Sequence, residues 1–172
     1  MSTTQEEPPF RDATPQEMRT LGHPLRLRIL RLTLDKPMTN KELARRLGRD
    51  PGTVLHHVRR LVDGGFLAAE PVRTGKRGAI ERPYRATGKS WEVRMAPTTH
   101  HAAAVMEAVR AEILEAGANS SISALRLGVR LRKADLASLR RQIHALGDEY
   151  AGRDDPKGEP IGILAVIHRR RP

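Results

Sequence analysis

The 172-residue chain contains no cysteine. That excludes a disulfide scaffold, a thiolate-bound zinc or iron–sulfur centre, and thiol catalysis. Aromatic residues are nearly as scarce, with two Phe, two Tyr and one Trp, too few for the stacking platforms on which single-stranded nucleic acids are held. No apolar run approaches the ~18 residues that span a bilayer, and the opening MSTTQEEPPF is acidic and polar, unlike a signal peptide. The expectation is a cytoplasmic protein with no membrane partner. No P-loop, G-x-G-x-x-G, G-x-S-x-G or metal-binding dyad occurs, so neither an enzyme nor a cofactor is expected. His100, His101 and His144 lack the i, i+4 spacing that sets two ligands on one helix face, and no metal site is expected.

Positive charge, by contrast, is abundant. Lys and Arg number 31 against 20 Asp and Glu, a formal net charge of +11, which points to a polyanionic partner. The excess is uneven: residues 1–95 carry 19 basic and 11 acidic side chains, residues 96–172 carry 12 and 9. The first half is therefore the expected nucleic-acid module. With stacking residues so few, double-stranded DNA is the expected polyanion.

Helix starts and stops follow one another closely in that half. After a Glu- and Pro-rich arm, residues 1–13, expected to be disordered, Thr14-Pro15-Gln16-Glu17 reads as a capping box and Gly22 as a stop. Pro24 opens a second helix with Leu25, Ile29 and Leu32 on an apolar stripe. Thr39 to Glu42 is another capping box, with Gly48 as its stop. Asp50 and Pro51 then launch a helix in which Val54, Val58, Leu61 and Val62 face inward. Two short helices across a tight glycine turn make a helix-turn-helix. Residues 66–71 and 82–86 read as the strands of a basic-tipped hairpin, and Trp91, Val93 and Met95 as a further short strand.

Residues 96–172 are expected to form a separate unit of helix, strand, helix and strand. A helix over 99–116 carries Val105, Met106, Val109 and Ile113 on one face. Leu125, Leu127, Val129 and Leu131 alternate with polar or small residues, as in a half-buried strand. A helix over 133–151 carries the seam Leu136, Leu139, Ile143 and Leu146, and Ile161 to Ile167 reads as a buried strand. These eight helical residues are the candidate homodimer contacts, and the unit leaves room for a small-molecule effector. The expected fold class is α+β: a winged helix-turn-helix over residues 14–95, then a small α+β dimerisation or effector unit.

The segment Leu21-Gly22-His23-Pro24-Leu25-Arg26-Leu27-Arg28-Ile29-Leu30, with Gly52-Thr53-Val54-Leu55-His56-His57-Val58 and the glycine-rich basic hairpin, resembles the winged helix-turn-helix of ArsR-like bacterial transcription regulators over about residues 14–90. The resemblance implies a homodimeric repressor on a palindromic operator. Independently, the face opposite Val54, Val58 and Leu61 presents Gly52, Thr53, His56, Arg59 and Arg60 to a major groove wide enough for one helix. Leu55, at the edge of that face, suits a thymine methyl. Lys41, Arg49 and the hairpin cations Arg73, Lys76 and Arg77 complete the candidate DNA contacts. Two other readings compete: an architectural DNA binder without specificity, and a protein- or small-molecule-binding module on the same scaffold.

Overall fold

The computed structural model describes residues 11–75, 78–95, 98–117, 123–155 and 157–170. The chain divides into two compact units, residues 1–118 and 119–172.

Helix starts in the first unit follow local hydrogen-bond chemistry. In α1 (Pro15–Leu21) and α3 (Asn40–Leu47), threonine hydroxyls at 14 and 39 each accept from the N–H three residues on, at 3.2 Å, and Glu17 and Glu42 reach back to the cap N–H groups. In α2 (Pro24–Leu32) the cap is His23, whose Nδ1 accepts from Leu25 N–H at 3.2 Å. In α4 (Pro51–Asp63) it is Asp50, accepting from Thr53 N–H at 2.9 Å. Ile29, Leu43, Leu47, Val54, Val58, Leu61 and Phe66 close into one buried core between α2, α3 and α4. Fully buried Thr33 ends α2, its hydroxyl bonded to Ile29 O and its carbonyl accepting from Ala86 N–H.

The strands are short. β1 (Arg11–Asp12) pairs in parallel with β7 (Val93–Arg94). β2 (Met38–Thr39), β6 (Pro83–Ala86) and β3 (Leu67–Ala69) form an antiparallel sheet in the order β2-β6-β3, with Ala69 opposite Tyr84 and Met38 on the other side of Tyr84. Beyond it the hairpin continues as β4 (Arg73–Thr74) against β5 (Ile80–Glu81). A helix-turn-helix followed by this two-stranded wing is a winged helix-turn-helix of the α+β class. Where a strand was expected at 91–95, a helical turn α5 (Lys89–Glu92) precedes β7. Residues 11 and 12, expected within a disordered arm, are ordered: Arg11 grips Glu17 at 2.6 Å while Ala13 N–H bonds Arg94 O at 2.9 Å.

The expected boundary after residue 95 is also displaced. α6 (Thr99–Ala116) packs on α2 with Ala104 and Ala108 buried. Its polar flank is pinned by Arg28–Glu115 at 2.8 Å, Arg31–Glu112 at 2.8 Å and Arg46–Glu115 at 2.7 Å. Small residues let the two helices approach, so α6 belongs with the first unit. Of the apolar face expected on it, Val105 and Val109 are half-buried while Met106 and Ile113 are exposed.

In the second unit α7 (Lys133–Ala151) has the bounds its periodicity predicts. Leu136, Leu139 and Ile143 are half-buried and Leu146 is exposed. The two expected strands are absent: among the described residues, 123–132 and 159–170 form no ladder, and Leu125, Leu127, Ile163 and Val166 stand exposed. Alternation and apolar runs express a demand for burial, but a strand also needs a partner for its backbone groups, and neither segment has one among the described residues.

Candidate nucleic-acid interface

The helix-turn-helix owes its tightness to three residues. Gly48 takes the left-handed conformation, φ 59° and ψ 40°, and Arg49 N–H returns to Ala44 O at 3.0 Å. Asn40 Nδ2 donates to Pro51 O at 2.9 Å, tying the first turn of α3 to the first turn of α4. The second helix is then held from beneath by Val54, Val58 and Leu61, all wholly buried, and by His57, 8% exposed.

What remains outward is the expected reading face. Gly52, Thr53, His56, Arg59 and Arg60 are exposed and Leu55 is half-buried. Two of these have a local duty as well. A Cβ at Gly52 would meet the Asp50 carboxylate oxygen at 3.0 Å, so the glycine protects the helix cap in addition to thinning the face. Thr53 donates its N–H to that same oxygen, which therefore occupies the anion-attracting end of α4.

Ion pairing sorts the basic residues into two groups. Among the described residues Lys41, Arg45, Arg49, Arg59 and Arg60 are exposed and make no ion pair. They flank α3 and α4, where their charge is available to an incoming polyanion. Arg28, Arg31 and Arg46 are spent on α6, and Arg85 on Glu70 at 3.0 Å. The wing cation Arg73 belongs to this second group: it reaches Glu42 at 3.0 Å and Glu81, its cross-strand partner, at 3.3 Å. Nothing in the sequence spacing flags that engagement, because Glu42 lies 31 residues away. Lys76 and Arg77 lie outside the described residues.

Electrostatics behind the face are set by burial. Arg26 of α2 is buried, donating from Nε to Thr20 O, from Nη2 to Arg19 O at 2.7 Å, and from Nη1 toward His57 Nδ1 at 3.3 Å. His57 also packs against the His23 ring, centroids 4.5 Å apart. Burial, with the nearby His23 and Arg26, pushes its imidazole down to about 4, so it stands neutral under ordinary conditions. Glu17 is held well below the usual carboxylate range, chiefly by Arg11 and then by Thr14 N–H. Glu42 is lowered by its bond from Thr39 N–H, with Arg73 assisting. Among the described residues no three His, Asp or Glu side chains gather as a metal ion would require, and no helix is long and apolar enough to cross a membrane.

One comparison with known proteins covers the helix-turn-helix itself. Residues 21–69 match the family model of a helix-turn-helix domain, which supports a DNA-binding transcription regulator. No curated protein matches the chain. Among solved structures, Lactococcus lactis ZitR, in a cysteine-to-serine mutant form, is similar at 15% identity and a TM-score of 0.34, over 87% of this chain and 84% of that one.

Proposed function

We propose that the protein is an ArsR-like transcriptional repressor that works as a homodimer in the cytoplasm and reads a palindromic operator. Support comes chiefly from one observation. The exposed face of α4, bearing Thr53, His56, Arg59 and Arg60, is held from beneath by buried Val54, Val58 and Leu61 and is flanked by cations that, among the described residues, make no ion pair. Thr53, Leu55 and His56 lie near the start of α4, where a recognition helix reaches base edges; Lys41, Arg49, Arg59 and Arg60 take phosphates or guanine.

A homodimer is favoured because one such helix holds too few base contacts for operator-level specificity. The outer seam of α6, Ala102, Met106, Val109 and Ile113, advances in steps of 4, 3 and 4, a pattern suited to a second helix. Genome-wide footprinting of the full chain tests the whole reading. The expected result is a palindrome with half-sites roughly 10 base pairs apart, bound more tightly than random duplex at fixed salt, with a log–log salt slope on the order of −6 to −10. Equal affinity for recovered and random DNA would transfer the protein to the architectural class.

A further inference from the structure

Beside the reading face, α1 and α4 enclose a cleft of about 380 Å³. Gln16 and Arg19 line it from α1; His56, Arg59, Arg60 and Asp63 line it from α4. Spacings of three and four place those α4 residues along one side of the helix, so the cleft borders the exposed face and shares His56, Arg59 and Arg60 with it.

The charge in the cleft is one-sided. Three guanidinium groups face a single carboxylate, and among the described residues none of Arg19, Arg59, Arg60 and Asp63 makes an ion pair. The C-terminal carbonyls of α1 would ordinarily attract a nearby cation such as Arg19. Here three of them are already satisfied: Arg26 donates to Arg19 O and Thr20 O, and Gly22 N–H bonds Met18 O at 2.9 Å. Arg19 is thereby left free for an outside partner. Arg26 itself sits behind the cleft and feels Arg60, whose charge joins burial in lowering its hold on its proton.

A helix seated in the major groove is flanked by the two phosphate rails, and a cationic cleft along the side of that helix meets a rail. A backbone phosphate carries one negative charge and free acceptor oxygens, which match guanidinium forks and the Gln16 amide. We infer that the α1–α4 cleft seats a phosphate of the DNA backbone, with Arg19 as its additional ligand, so that α1 joins α3 and α4 as a DNA-contacting element. This inference rests on α4 being the DNA-reading helix.

The test uses the full chain and a random-sequence 30-base-pair duplex, with affinity measured by fluorescence anisotropy across a salt series. Arg19→Gln and Gln16→Glu should each weaken binding, and Arg19→Gln should make the log–log salt slope shallower by about 1 for each protomer engaged. Arg19→Lys should restore most of the slope, and Arg110→Gln on α6 should leave it unchanged. Circular dichroism melts establish that each variant is folded. A wild-type slope retained in both Arg19→Gln and Gln16→Glu overturns the inference while the proposed function stands. Absence of salt-dependent binding in the wild type removes both. Titration with inorganic phosphate supplies the second arm: saturable binding that Arg19→Gln abolishes, with the DNA slope untouched, would make the cleft a small-anion site and overturn the backbone assignment.

Discussion

Nη1 of Arg26 lies 3.3 Å from Nδ1 of His57, and since a guanidinium can only donate, the imidazole must accept there and carry its proton on Nε2. The same guanidinium holds two carbonyls at the end of α1. One buried side chain thus bridges the end of α1 and the helix proposed to read DNA. Arg26→Lys keeps the charge but cannot reach three acceptors at once. A loss of about 3 kcal/mol is expected in urea unfolding, and a loss below about 1 kcal/mol would show that the three bonds are not coupled.

The neutral His57 makes stability depend on pH with a definite sign. Its folded value of about 4 lies below the ordinary 6.5, so between those values the unfolded chain binds more protons. The contribution is fully present above pH 6.5 and is lost as pH falls toward 4, on the order of 3 kcal/mol in all. His23 and His101, also pushed down by burial, act in the same sense. Urea midpoints between pH 7.5 and about 5, above the range where Glu17 and Glu42 protonate, should fall less steeply in His57→Gln than in the wild type. Parallel curves would remove His57 as a cause.

Arg73 already holds Glu42 and Glu81, so part of its charge is offset before any phosphate arrives. Replacing Arg59 with Gln should therefore flatten the salt slope by about 1 per protomer, while Arg73→Gln changes it less. Glu81→Gln should tighten duplex binding by a few-fold, because it deletes one anion beside Arg73 and leaves Glu42 as that cation's remaining carboxylate among the described residues. Weaker binding in Glu81→Gln would mean that the pair aligns the wing rather than withholding charge.

His56 is exposed on the proposed reading face, whereas its neighbour His57 is part of the core. Removing it with His56→Ala should cost roughly 1–3 kcal/mol on a specific operator and much less on random duplex. Equal losses on both would assign His56 to the phosphates.

The position of α6 changes how the chain should be divided. A fragment ending at residue 117 retains Ala104, Ala108 and the three ion pairs to Arg28, Arg31 and Arg46, and should unfold cooperatively near the full-length midpoint. One ending at residue 95 strips the cover from α2 and should lose several kcal/mol of stability, as large core deletions do. Comparable melts for the two fragments would show that α6 is an accessory rather than part of the fold.

The helices of the first unit were legible because their boundaries are chemical and local: Thr14 with Glu17, Thr39 with Glu42, Asp50 with Pro51, and Gly48 at a left-handed stop. The second α6 face was not, since Ala104 and Ala108 are weakly hydrophobic and the louder residues, Met106 and Ile113, are the ones left outside. Arg26 reads as one arginine among three on α2, and only the tertiary arrangement distinguishes it as buried while Arg28 and Arg31 pair with α6. The segments at 123–132 and 159–170 mislead for a different reason. Their side-chain pattern is that of strands, but pairing is a property of two segments, and periodicity describes one.

Glu17 is clasped by Arg11, six residues before it, and by Lys89, at 2.9 Å, while β1 is closed by β7 some eighty residues later. During synthesis α1 to α4 emerge first, yet the seam that fastens α1 stays open until residues 89–94 have left the ribosome. Closing so long a loop carries an entropic cost that the local helices do not. The order of birth therefore sets the order of completion: all of α4 has left the ribosome before β1 has anything to lie against.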